Sequence, residues 1–109
     1  MADQRTASNF LAPVSFEWNE QKNLANRAKH GIDFDDAIEV FYGPSILCRS
    51  DSNNEERWIA IGSSENRLIA VVFTRRADVI RIISARRARK NEEREYRNAK
   101  VGRSAQGQD

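Results

Sequence analysis

The sequence predicts an α+β domain: a small antiparallel β-sheet with two N-terminal helices packed on it and a C-terminal helix. Three observations carry this. The early part of the chain holds two short segments with helix caps, the second with helical apolar spacing. The middle holds short β-rich runs separated by turn residues. The end is a charged segment with only a thin apolar side. At 109 residues the chain is expected to form one domain with a real but modest core. Residues 15–101 are assigned to it, with 1–14 as a flexible arm and 102–109 as a disordered tail.

Phe16-Glu17-Trp18 alternates as a short strand does. Asn19 is a good N-cap, and Glu20 then faces the positive end of the helix dipole. That helix ends at Lys29-His30-Gly31, where glycine suits the left-handed residue past a helix end. Leu24 and Ala28, four apart, mark its expected buried side. Asp33 caps a second helix whose Phe34, Ala37, Ile38 and Phe41 follow the spacing of one apolar face, and Gly43-Pro44 ends it. Strands are expected at Ser45–Arg49, Arg57–Gly62, Arg67–Thr74 and Val79–Ala85, joined by turns at 63–66 and 75–78. Such short connections favour an antiparallel meander. The segment Arg86–Arg103 reads as a helix with Glu92 and Glu93 near its start, docked by Ala88, Tyr96, Ala99 and Val101.

Composition narrows the function. Cys48 is the one cysteine, so no internal disulfide forms, and its apolar neighbours Ile46 and Leu47 mark it as a small core residue. The sequence has no apolar run long enough for a membrane span and no signal-peptide pattern, which points to a cytoplasmic protein. P-loop, dinucleotide-glycine and nucleophile-elbow motifs are missing. One histidine and one cysteine cannot make a usual zinc site, and Asp33, Asp35 and Asp36 are better explained by capping than by a metal. No cofactor is expected. Net charge is +2, but it is polarised: residues 1–56 carry 5 Lys/Arg against 10 Asp/Glu, and residues 57–109 carry 13 against 6. Such a chain can offer a basic surface to a polyanion, or its charges can intermix on folding.

The chemistry that remains lies in arginines: Arg57, Arg75, Arg76, Arg81, Arg86, Arg87, Arg89 and Arg94. A guanidinium stays charged and matches phosphate with a planar fork of donors. Arg81 interrupts an apolar strand, so it either meets an anion or pairs with a carboxylate such as Glu39 or Glu55. Strict alternation sets Arg81 with Val79, Ile83, Ala85 and Arg87, and opposite Ile80, Ile82, Ser84 and Arg86, unless the strand bulges. His30 suits general acid–base work but equally suits a helix end. Tyr96 either stacks on a base or anchors the last helix.

Several ordered segments resemble the BrnT family of type II toxins: Phe16-Glu17-Trp18; Lys29-His30-Gly31 with Phe34 and Ala37; Glu39-Val40-Phe41; Glu56 to Gly62; and Ile80 to Ala88. Relatives often have aspartate where Asn19 stands, which keeps the cap, and a histidine in the loop that here reads Asp51-Ser52-Asn53-Asn54. The resemblance implies a RelE-like fold and a ribonuclease that inhibits translation. It also implies a BrnA-type antitoxin that binds the toxin and represses their shared promoter, so that DNA is reached only through the antitoxin. The expected assembly is a heterotetramer of two toxins and two antitoxins. Cleavage is expected to be metal-independent, with the RNA 2′-hydroxyl attacking the adjacent phosphate, and ribosome-associated mRNA is one candidate substrate. Arg57, Arg81 and Arg86 are the expected charge stabilisers, Lys29 or His30 the proton-transfer group, and Arg75, Arg76, Arg87, Arg89 and Tyr96 the RNA-binding residues. The competing reading is a non-catalytic RNA- or DNA-binding or protein-interaction module, which needs the same basic surface or only the last helix.

Overall fold

A computed structural model describes the backbone of residues 15–50 and 55–108 and the side chains up to residue 99. The proposed arm at 1–14 and the loop at 51–54 lie outside the described residues. The elements are β1 (Ser15–Glu17), α1 (Glu20–His30), α2 (Phe34–Ala37) continued by a 3₁₀ segment (Ile38–Tyr42), β2 (Ser45–Arg49), β3 (Trp58–Ser64), β4 (Arg67–Arg76), β5 (Val79–Arg87) and α3 (Lys90–Gln108). The backbone of α3 thus starts later than Arg86 and continues past residue 101, since an isolated glycine weakens a helix without breaking it.

The five strands lie in the order β1-β5-β4-β3-β2. Strands β2 to β5 form the expected antiparallel meander. To this antiparallel sheet β1 adds one parallel pairing, with β5, through Ser15–Val79, Phe16–Ile80 and Glu17–Arg81. The chain leaves β1, crosses one face as helices and re-enters at the far edge, so the meander's last strand returns beside β1 running the same way. Both tight hairpins use two-residue turns. Glu65 and Asn66 both have positive φ, as a type I′ turn requires, and Ala77 (φ 54°) leads the second. The strands are therefore longer, and the turns shorter, than the sequence pattern predicts. With two helices on one face and a third after the sheet, the arrangement is RelE-like, as the resemblance implies.

The capping signals hold. The Asn19 side chain accepts from the backbone N–H of Lys22, the Asp33 side chain accepts from that of Asp35, and Gly31 takes the left-handed conformation (φ 72°). The buried side of α1 is not the expected one. Leu24 is 52% exposed and Ala28 is also exposed, whereas Asn23 and Asn26 are buried. The reason is hydrogen bonding. Asn23 accepts from the Phe34 N–H at 2.9 Å, which ties α1 to the start of α2. Asn26 donates to the carbonyls of Ile32 and Ala85 and accepts from the Ala85 N–H, at 3.0, 2.9 and 3.1 Å. β1 pairs only with the first three residues of β5, so at Ala85 the Asn26 amide supplies the bonds a neighbouring strand would make.

After Ala37 the helix tightens to 3₁₀. A three-residue period then places Phe34, Ala37 and Val40 in one buried row, while Ile38 is only partly covered. Val40 comes so close to the sheet that a Cβ on Gly62 would meet its Cγ1 at 3.0 Å and the Pro44 carbonyl at 3.1 Å. The main core joins this helical row to Ala60, Ile69, Val71, Phe73, Ile80, Ile82 and Ala85. Phe41 meets Phe73 edge-on at 5.0 Å, and Trp18 meets Phe34 at 5.9 Å. A smaller cluster of Ile61, Ala70 and Tyr96, flanked by Ile46, Cys48, Ile59, Leu68 and Ala88, lies under α3 on the opposite face.

Candidate nucleic-acid interface

Alternation in β5 is broken at Ile83. Val72 faces Ser84 but Phe73 faces Ile82, so Ile83 is the extra residue of a bulge. The bulge explains why Ile80, Ile82 and Ala85 all belong to the main core despite uneven spacing. It also corrects the strict-parity reading. Arg81, which faces Thr74, and Arg86, which faces Ala70, lie on the same face of the sheet, the one on which α3 docks.

α3 covers only part of that face. Beyond it is an open groove lined by Glu17, Glu55, Glu56, Thr74, Arg75, Arg76, Val79 and Arg81. Arg81 donates through Nη1 to Glu17 Oε2 at 3.2 Å, and both side chains are half exposed. Its carboxylate partner is thus Glu17 rather than Glu39 or Glu55; Glu39 accepts instead from the Glu65 N–H. Arg57 donates through Nε to Glu55 at 3.0 Å, at the margin of the groove. Arg49 pairs with Glu56 at 2.9 Å and lies over the Trp58 ring at 5.0 Å. Arg76 is exposed, while Arg75 is largely covered, donates to the Ala77 carbonyl at 2.9 Å and lies 3.7 Å from Asp78. The polarised sequence therefore mixes on folding, and carboxylates of the acidic half stand among arginines of the basic half.

Arg86 is held differently. Its Nη1 and Nη2 donate to the two oxygens of Glu92, each at 2.8 Å, and the pair is largely covered. Glu92 also accepts from the Arg89 N–H at 2.7 Å, so one carboxylate caps α3 and fastens it to the sheet. The bonds from Arg86 hold the Glu92 carboxyl below its usual range against the opposing effect of burial, and they raise the Arg86 guanidinium further. Thr74 and Ala70, which face Arg81 and Arg86, are four residues apart on β4, so the two arginines stand about 13 Å apart along the strand. Tyr96 is 6% exposed, and its hydroxyl donates to the Pro44 carbonyl at 3.3 Å, so here it anchors α3 and presents no face to a base. Burial, with Glu95 and Glu92 nearby, raises the Cys48 thiol pKa.

Lys29 and His30 are elsewhere. They end α1, which packs on the helix-covered face, and the next residue, Gly31, accepts from the Arg67 guanidinium at 3.4 Å. Arg67 opens β4, seven residues from Thr74, which is about 23 Å along the strand. The structure thus gathers Arg57, Arg76 and Arg81 about one groove, keeps Arg86 on the same face inside an ion pair, and sets Lys29 and His30 apart. Arg89 is exposed between β5 and α3, whereas Arg87 stands in register with Ile69 of the main core and is exposed on the opposite face of the sheet from Arg81. The site member that sequence reasoning missed is Glu17. Alternation shows that it points away from Phe16, but only the β1–β5 pairing places it against Arg81.

Among the described residues no three His, Cys, Asp or Glu side chains converge to hold a metal ion. No helix among them is long and apolar enough to cross a membrane. Sequence comparison finds no match among curated proteins. A family model described as the ribonuclease toxin BrnT of type II toxin–antitoxin systems matches residues 18–92. Among solved structures, the crystal structure of the Brucella abortus ribonuclease toxin BrnT is similar at 32% identity, with a TM-score of 0.59, over 70% of this chain and 97% of that one. Family match and fold agree, and this chain belongs to the BrnT family of ribonuclease toxins of type II toxin–antitoxin systems.

Proposed function

We propose that the open groove is where this toxin binds and cuts RNA, without a metal ion, by attack of a 2′-hydroxyl on the adjacent phosphate. The observation that carries the reading is the placing of Arg81 and Arg57 beside one accessible groove by two different strands and their ends. Fixed guanidinium groups stabilise charge that grows on phosphate oxygens, which is the role a metal fills elsewhere. Arg76 extends the cationic path for the RNA backbone, and Arg89 continues it towards α3, while Arg87 lies off this path on the other face of the sheet. Arg86 acts through Glu92 to hold α3 in place rather than by touching the phosphate. Lys29 and His30 lie too far from Arg81 to serve the same phosphate.

In the cell the activity inhibits translation, and a BrnA-type antitoxin silences it by binding the toxin in a heterotetramer of two copies of each. Cleavage assays with purified full chain test the reading. Single-stranded RNA should be cut in EDTA as well as in Mg²⁺, its 2′-deoxy analogue should stay intact, and Arg81→Ala should lose about a hundredfold in rate. Cleavage that stops in EDTA contradicts the metal-independent route. Intact RNA recovered from a salt-sensitive complex favours a binding module instead.

A further inference from the structure

Attack by a 2′-hydroxyl needs a group that takes its proton. Among the described residues lining the groove there is no histidine and no lysine. The proton acceptors there are carboxylates: Glu17 on β1, and Glu55 and Glu56 ahead of β3. We propose that Glu17 is the general base of the cleavage, an inference that rests on the groove being the RNA site.

Three features single out Glu17. It is fixed by sheet pairing, in direct register with Arg81, whereas Glu55 and Glu56 follow directly on the loop at 51–54. Its carboxylate touches the Arg81 guanidinium at 3.2 Å. A guanidinium carries five N–H donors, so Arg81 can hold a phosphate oxygen while still bonded to Glu17. And Glu17 is 54% exposed, so an RNA strand lying across Arg81 meets it directly. Base and charge stabiliser thus stand side by side on neighbouring strands, close enough to serve one phosphate and its 2′-hydroxyl.

The step balances as follows. The 2′-oxygen forms a bond to phosphorus while its proton passes to a Glu17 carboxylate oxygen. The bond from phosphorus to the 5′-oxygen breaks, and that oxygen takes a proton from water in the open groove. The products are a 2′,3′-cyclic phosphate and a 5′-hydroxyl, and Glu17 returns its proton to solvent. The charged groups sharing the groove with Glu17 are Arg81 on β5, Arg75 and Arg76 on β4, and Glu55 and Glu56 before β3.

The test is single-turnover cleavage of a short mixed-sequence RNA by full-length protein and by Glu17→Gln across the acid and neutral range, with binding measured on the uncleavable 2′-deoxy strand. The expected result is a loss of about a hundredfold or more in the chemical step. Binding should be unchanged or tighter, because Arg81 loses a competing anion, and the parent's fall in rate towards acid should vanish in the variant. A Glu17→Gln protein that cuts within a few-fold of the parent and keeps the same acid limb overturns the inference and leaves the groove reading intact. A parent that cuts no RNA overturns both. If Glu17→Gln does not fold, Glu55→Gln and Glu56→Gln decide by elimination: both should cut within a few-fold of the parent, and a loss of about a hundredfold in either overturns the inference.

Discussion

The two faces of this one sheet are built to different rules. The face under α1 and α2 is closed: Phe34, Val40, Phe73 and Ile80 are fully or almost fully buried, and the buried Asn23, Asn26 and Ser64 all bond to backbone groups, Asn23 also to the Asp33 side chain. The other face carries a smaller cluster under α3 and then opens into a groove where arginines and glutamates meet in half-exposed pairs. One face spends its side chains on stability, and the other keeps charged groups near water, where phosphate can compete for them. Exposed ion pairs of this kind add at most about 1 kcal/mol to stability, so they can be rearranged at little loss.

Substitutions should separate the faces. The largest effect is expected at Phe34→Ala, which empties the centre of the closed face and should lower unfolding stability by about 3–5 kcal/mol in a urea titration. On the open face Arg57→Ala should leave urea stability within about 1 kcal/mol of the parent while slowing RNA cleavage by about a hundredfold. A large stability loss there would mean that the groove is structural. The boundary between the faces is the Arg86–Glu92 clasp. Glu92→Gln should loosen α3 by about 1–3 kcal/mol, seen as lost helical circular dichroism and faster amide exchange near Tyr96.

The same clasp sets a pH dependence with a definite sign. The Glu92 carboxyl is held lower in the folded protein than in the unfolded chain. Its contribution is therefore complete above the ordinary carboxylate range, near pH 4.3, and is lost as pH falls through the lower folded value. Acid titration of α3 docking should show this loss in the parent and a flatter response in Glu92→Gln. The smallest effect is expected at Leu24→Lys. On the sequence pattern this residue faces the core, but the structure exposes it, so stability should move by no more than about 0.5 kcal/mol.

What was legible in the sequence was local. Asn19, Gly31 and Asp33 mark helix ends through single side-chain or backbone requirements, and the structure meets each one. The runs 58–64, 67–76 and 79–87 are strands because β-branched and apolar residues recur between two-residue turns. What stayed hidden depended on distant partners. Asn26 looks like a solvent residue until β1 ends short and leaves Ala85 unpaired at the edge of β5. The bulge at Ile83 leaves only the trace of two adjacent isoleucines, yet it brings Arg81 and Arg86 onto one face. For the site, the arginines were visible as residues that no apolar strand needs. Their carboxylate partners were not, because Glu17 and Arg81 are 64 residues apart and meet only through the parallel pairing of β1 with β5.

The central claim is that RNA is cut on the open face and not at the α1 corner that holds the chain's single histidine. The direct measurement is RNA cleavage by Arg81→Ala and His30→Ala, made side by side in the full chain, with folding checked by circular dichroism. The account predicts a loss of about a hundredfold for Arg81→Ala and a rate within a few-fold of the parent for His30→Ala. A folded His30→Ala protein that no longer cuts RNA, beside an Arg81→Ala protein that still does, would contradict it.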